Sequence, residues 1–124
     1  MSEVLLTKCD YWVRVEYGGD NTFPALVGLF DKLSHFCEAH RCYSVLGLSR
    51  STAPLSSSMA FKIDGIFRHF KIDERYHFAW VEYRESSMGS IRYAAEYLKG
   101  KGVCCEVFTD ERCAGVWLKQ QLQS

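Results

Sequence analysis

The sequence predicts an α/β fold built on a mostly parallel sheet of four to five strands with about four helices. Three observations predict it. Apolar runs of strand length recur at residues 11–17, 42–48, 77–83 and 103–108. The stretches between them carry apolar residues at helical spacing, and separations of that length need crossover connections that leave successive strands parallel. The segment from Val103 to Leu118 reads as a closing β-α unit: a short apolar strand, a Thr109-Asp110 cap, and a helix with Ala114, Trp117 and Leu118 on one side.

Taken in order, Tyr11-Trp12-Val13-Arg14-Val15-Glu16-Tyr17 alternates, with Val13 and Val15 on one face and Arg14 and Glu16 on the other, as a half-buried strand does. Val4-Leu5-Leu6 is its expected hairpin partner. Thr22 is placed to cap a helix with Pro24 in the first turn, where a missing N–H costs nothing. Phe23, Leu26, Val27, Phe30, Leu33 and Cys37 then give that helix, over about residues 22–40, its apolar stripe. The apolar run at 42–48 suits a central strand covered on both faces. A second helix, about 57–71, has Met59, Ile63, Ile66, Phe67 and Phe70 in one stripe. A third opens at Ser86-Ser87, gathers Met88, Ile91, Ala94, Ala95 and Leu98, and closes at Gly100-Lys101-Gly102. In the last helix Val116, Trp117 and Leu118 are expected to bury against the sheet, worth roughly 1.5–3 kcal/mol each. Trp117→Ala is accordingly expected to be strongly destabilising.

At 124 residues the chain fits one domain, residues 1–124, and its 48% hydrophobic content suffices for one core. Fifteen Lys and Arg balance fifteen Asp and Glu, leaving no global field to attract nucleic acid or an anionic membrane. Nowhere do eighteen apolar residues run together, so no membrane span is expected, and the N-terminus lacks the basic and apolar regions of an export signal. A cytoplasmic location follows as the expectation, with the six cysteines reduced and packed as small hydrophobes.

No motif announces chemistry. His35-Phe36-Cys37-Glu38-Ala39-His40-Arg41-Cys42 alternates potential metal ligands, but offsets of two on a helix point some 200° apart and Cys37 belongs to the apolar stripe, so no metal site is assigned. No G-x-S-x-G, P-loop or dinucleotide fingerprint occurs. The expectation is a protein that is not an enzyme, with no catalytic residue and no cofactor.

The hydroxyl-rich stretch from Ser49 to Ser58 lies where a strand's C-terminal end gives way to a helix, the place where open α/β sheets bind ligands. It is read either as a solvated loop with a serine cap or as an anion or phosphorylation site, favoured by the helix dipole. Phe61 falls off the second helix's stripe, beside Asp64, Gly65 and Arg68, and is either covered by a neighbouring loop or exposed as an anchor. Tyr93 and Tyr97 form an i,i+4 pair set off from the third helix's apolar cluster, a rim or an interaction surface.

The ordered pattern resembles a STAS-type domain, the fold of anti-sigma-factor antagonists, and more closely the stand-alone SpoIIAA-like proteins. The residues that carry it are Trp12-Val13-Arg14-Val15 through Gly19 to Thr22, the strand at Tyr43 to Leu48 with its loop and helix, Phe78-Ala79-Trp80-Val81, and the closing Glu106-Val107-Phe108-Thr109-Asp110-Glu111 with Ala114 and Trp117-Leu118. The closing segment is the most specific, since those relatives tend to end in a V-x-x-F-x-D strand-cap followed by an A-x-x-W-L helix. In the anti-sigma antagonists a serine at the start of the second helix is phosphorylated by a partner kinase, which switches off partner binding. The positions here that match are Ser57 or Ser58, with Ser56 beside them; serine stands at the family's Asp, Met or Ala at its Gly, and Gly47 at about the position of an acidic residue often found along the middle strand. The resemblance therefore implies a bacterial regulatory or interaction module with a protein partner, a kinase or anti-sigma-like factor, and leaves a homodimer open. Ser51, Thr52, Phe61, Arg68, Tyr93 and Tyr97 are the expected partner- or ligand-binding residues. Related folds also hold lipophilic ligands between helices and sheet, for which Phe61, Phe67, Met88 and Tyr93 are the candidate groove.

Overall fold

The computed structural model describes residues 3–50 and 56–122, with the side chains of Ser57 and Ala60 left aside. Five strands, β1 (Glu3–Lys8), β2 (Val13–Gly18), β3 (Ser44–Ser49), β4 (His77–Glu82) and β5 (Cys104–Phe108), form one sheet in the order β1-β2-β3-β4-β5. The hairpin is antiparallel, with Leu6 opposite Val15, and every later pairing is parallel. Four helices complete the fold: α1 (Phe23–His40), α2 (Ser57–His69), α3 (Met88–Gly100) and α4 (Glu111–Leu122). A short 3₁₀ turn, Glu85–Ser87, leads into α3. This is the α/β architecture the sequence predicts.

Chain order in the sheet decides the layering. When neighbouring parallel strands follow one another in sequence and each crossover is right-handed, every crossover helix falls on the same face. Helices α1, α2 and α3 therefore pack one face, where Val13, Val15, Tyr17, Val45, Phe78 and Cys105 meet Leu26, Phe30, Leu33, Ile63, Phe67, Ala95 and Leu98. Helix α4 follows the last strand and is bound to no crossover, and it covers the opposite face, with Ala114 and Leu118 against Leu46, Leu48, Ala79 and Val81. All six residues of β3 are buried, as a strand covered on both faces requires.

The caps are set locally. Thr22 Oγ1 accepts from the Ala25 N–H (3.4 Å) with proline in the first turn of α1, and Asp110 Oδ1 accepts from the Cys113 N–H (2.8 Å) at the start of α4. That bond, with other N–H and charge contacts, holds the Asp110 carboxyl below its ordinary range. Gly102, in the left-handed region at φ 93°, ends α3 as expected of a closing glycine. Arg14, on the face opposite Val13 and Val15, reaches Glu111 at the start of α4 through two bonds of 3.0 and 3.3 Å, tying the hairpin to the far helix.

Three expectations need correction. Val116 is 52% exposed and Trp117 half-buried beside Phe108, because Ala114 and Leu118 are four apart and define the inward stripe while Val116 lies about 200° from Ala114. Trp117 therefore contributes less than full burial would give. Phe23, the first residue of α1, is 44% exposed, since the stripe needs a turn of helix before it reaches the sheet; Leu29, 1% exposed, is a core residue the stripe omitted.

Candidate functional site

Two features of the α1–α3 side stand apart from ordinary packing. One is on its surface. Phe61, in the second turn of α2, is 49% exposed, and its ring meets Tyr93 and Tyr97 of α3 edge-on, at centroid separations of 5.7 and 5.2 Å. Tyr93 is 48% exposed and Tyr97 half-buried, with Lys101 Nζ 5.5 Å from the Tyr97 ring centroid. Phe61 is thus neither covered by a loop nor isolated: the flank of α2 away from the core stripe is turned toward α3, and the i,i+4 tyrosines receive it. The same flank explains Asp64, which is 5% exposed and bridged by Arg68 one turn on (3.2 Å). Arg68 stands two turns beyond Phe61, in the last turn of α2, with its charge directed at Asp64.

At the other end of α2, Ser56 is the N-cap: its Oγ accepts from the Met59 N–H (3.3 Å) and lies 3.2 Å from Ser58 Oγ. Ser58 is exposed in the first helical turn, where backbone N–H groups and the helix dipole favour negative charge. Ser51 and Thr52 lie outside the described residues, as does the side chain of Ser57. The structure brings Phe61, Tyr93 and Tyr97 together, sets Ser56 and Ser58 one turn before Phe61, and separates Arg68 from them.

The second feature is internal. An apolar cavity of about 70 Å³ lies between the sheet and α1, α2 and α3, walled by Leu26, Phe30, Phe67, Trp80, Ile91 and Leu98 among others. Of the expected groove residues Phe67 lines it, whereas Phe61 and Tyr93 belong to the outer surface. The Trp80 ring lies across the sheet over Gly47, where a Cβ would stand 2.4 Å from Trp80 Cε3. That close approach accounts for glycine in the middle of β3. The indole Nε1 is buried without a hydrogen-bond partner among the described residues.

One row nearer the strand ends, Tyr17, Ser49 and Glu82 stand side by side on that same face, Ser49 being the register partner of both others. Ser49 is also in the cavity wall. Glu82 is 2% exposed and, among the described residues, neither carboxylate oxygen makes a well-formed hydrogen bond, while Ser87, 0% exposed, leaves its Oγ without a partner there. Burial pushes the Glu82 carboxyl above its ordinary range; the nearby Ser49 hydroxyl, the N–H groups of Arg84 and Tyr83 and the Arg84 charge draw it part of the way back. Glu82 is not among the residues expected from the sequence. The signal was present in the alternation Phe78, Trp80, Glu82, which puts an acid on the inward side of a strand.

The raised carboxyl has a measurable sign. A group that holds its proton more tightly when folded adds stability below the ordinary carboxyl value of 4.5, and that stability is lost as pH rises through the raised value. Denaturant midpoints measured across this window are expected to fall for the wild type relative to Glu82→Gln, the difference leaving aside Asp73 and Asp110, whose lowered carboxyls act in the opposite sense. Parallel curves for the two proteins would contradict the burial of an unpartnered Glu82.

No protein-family model and no curated protein matches the chain. Among solved structures it is similar to an uncharacterised protein of the DUF3478 family from Shewanella loihica PV-4, which has a SpoIIAA-like fold: 15% of residues are identical, 94% of this chain and 93% of that one are covered, and the TM-score is 0.58. At that identity the likeness shows the fold. The chain thus has a SpoIIAA-like α/β fold. No helix among the described residues is long and apolar enough to cross a membrane.

Proposed function

We propose that this protein is a non-enzymatic regulatory module that docks a protein partner on the α2–α3 surface centred on Phe61, Tyr93 and Tyr97. The observation that carries the reading is the exposed aromatic trio itself. Tyrosine and phenylalanine supply large apolar area with few rotatable bonds and are enriched in interface cores, and here two of the three rings remain about half exposed while fixed in place by one another. The serines at the start of α2 supply a means of control. A phosphate on Ser58 would add about −1.5 to −2 charges at a helix N-terminus that tolerates them, one turn from Phe61. Ser57 and Ser56 are the other candidates, although Ser56 is already engaged as the cap.

The test compares Phe61→Ala and Ser58→Asp with wild type as bait for partners from the natural host. Ser58→Asp is expected to unfold within about 0.5 kcal/mol of wild type, being a surface change, Phe61→Ala to cost about 1–2 kcal/mol through its lost ring contacts, and both folded variants to lose or weaken the same captured protein. Capture unchanged by either substitution counts against the surface and its switch.

The internal cavity supports a second reading, a domain that holds a small apolar ligand between helices and sheet. Its support is the concave, largely apolar wall, which on the sheet runs from Phe78 and Cys105 near the strand starts to Ser49 at the end of β3.

A further inference from the structure

Resting on that second reading, we infer that the cavity takes a small uncharged guest with no polar head group, a hydrocarbon or its like of on the order of three or four carbons. Size sets the first limit. At about 70 Å³ the space is about half that of the ~150 Å³ engineered cavity that binds benzene, so a long acyl chain is too large for it. The wall is carbon over most of its extent, with Leu26, Phe30, Ile63, Phe67, Ile91 and Leu98 contributed by all three helices of that side.

The second limit comes from what the polar residues of the wall already do. The Cys105 thiol donates to the Ala95 carbonyl (3.3 Å). Glu106 is bridged to Lys99, which also holds Glu96. The Ser49 hydroxyl serves the buried Glu82 carboxyl, and Asn21 is engaged within the chain. Trp80 Nε1 is a buried atom that a water-sized guest does not touch, so the indole meets the cavity with carbon. A hydroxyl or ammonium placed here loses its hydration and finds no uncommitted partner in the wall among the described residues, whereas a hydrocarbon gains by leaving water. The arrangement therefore favours hydrocarbon over alcohol and alcohol over ammonium at equal carbon number.

Titration of the wild-type protein with propane, propan-1-ol and propylamine at neutral pH tests this order, followed by the methyl resonances of Ile63, Ile91 and Leu98 in the wall. Val116, 52% exposed on the far side of the sheet, supplies the control methyls. Propane is expected to shift the wall methyls saturably, to leave Val116 unmoved, and to bind about tenfold or more tightly than propan-1-ol, the penalty for burying a hydroxyl without a partner. Propylammonium is expected to bind more weakly than propan-1-ol. An alcohol or ammonium that binds as tightly as propane would overturn the inference while leaving a ligand pocket. If none of the three moves the wall methyls, or if Val116 shifts as much as they do, both the inference and the ligand reading fall. The ranking is read on the wild-type protein alone, so no outcome depends on a variant that folds.

Discussion

Replacing Leu118 by alanine is expected to lower the free energy of unfolding by about 2–5 kcal/mol, the range for emptying a buried leucine site. Leu118 is 0% exposed and, with Ala114, joins α4 to Leu46, Leu48, Ala79 and Val81. That second core is small: among the described residues it has six fully buried members, with Trp12, Phe108 and Trp117 at its edge. A cavity there has few neighbours that can close it, so the cost should sit in the upper part of the range. Trp117→Ala, at a half-buried position, should cost less than Leu118→Ala, and Val116→Ala, at 52% exposure, should stay within about 0.5 kcal/mol of wild type. Urea denaturation of the three variants checks the order. A Trp117→Ala variant more damaging than Leu118→Ala would mean that α4 is rotated from the orientation described.

Gly47→Ala is expected to destabilise by about 1–3 kcal/mol, the cost of overpacking a core. Ordinarily alanine would be the better strand residue, because glycine gives up more chain entropy on folding, an effect of about 0.5–1 kcal/mol. Here the added Cβ would lie 2.4 and 2.5 Å from Trp80 Cε3 and Cζ3. The ring can yield only toward the cavity that it lines with Phe30 and Phe67, and a shift in that direction would hold the cost to the lower part of the range. Thermal or urea unfolding measures the effect, and Trp80→Leu in the Gly47→Ala background should recover part of the loss. A Gly47→Ala protein as stable as wild type would show that the indole does not cross β3.

The fold was legible because each level of the sequence agreed with the next. Strand-length apolar runs, a Thr22-Pro24 helix start, the Thr109-Asp110 cap and the Gly102 stop each fell within a few residues of the element they predict. Errors arose where periodicity fixes a face but not its neighbour. Val116 was assigned to the core together with Leu118, although helical residues two apart diverge by about 200°. The aromatic trio was half legible: Phe61 and the Tyr93–Tyr97 pair were each singled out, but sequence spacing within one helix carries no information about which helix packs beside it. Glu82 was missed for a related reason. Its place on the inward face follows from alternation, yet the burial that makes it unusual depends on Ser49 and the turn after β4, both distant in sequence or irregular.

The docking surface can be tested against a matched control, because Phe61 and Val116 are almost equally exposed, at 49% and 52%, on opposite sides of the sheet. A photo-crosslinking amino acid placed at each position in turn, with the protein expressed in its own host, reads out which side a partner occupies. The account predicts a discrete crosslinked protein from position 61, diminished by Ser58→Asp, and no such product from position 116. Equal crosslinking from both positions, or a product from position 116 with none from position 61, would contradict it.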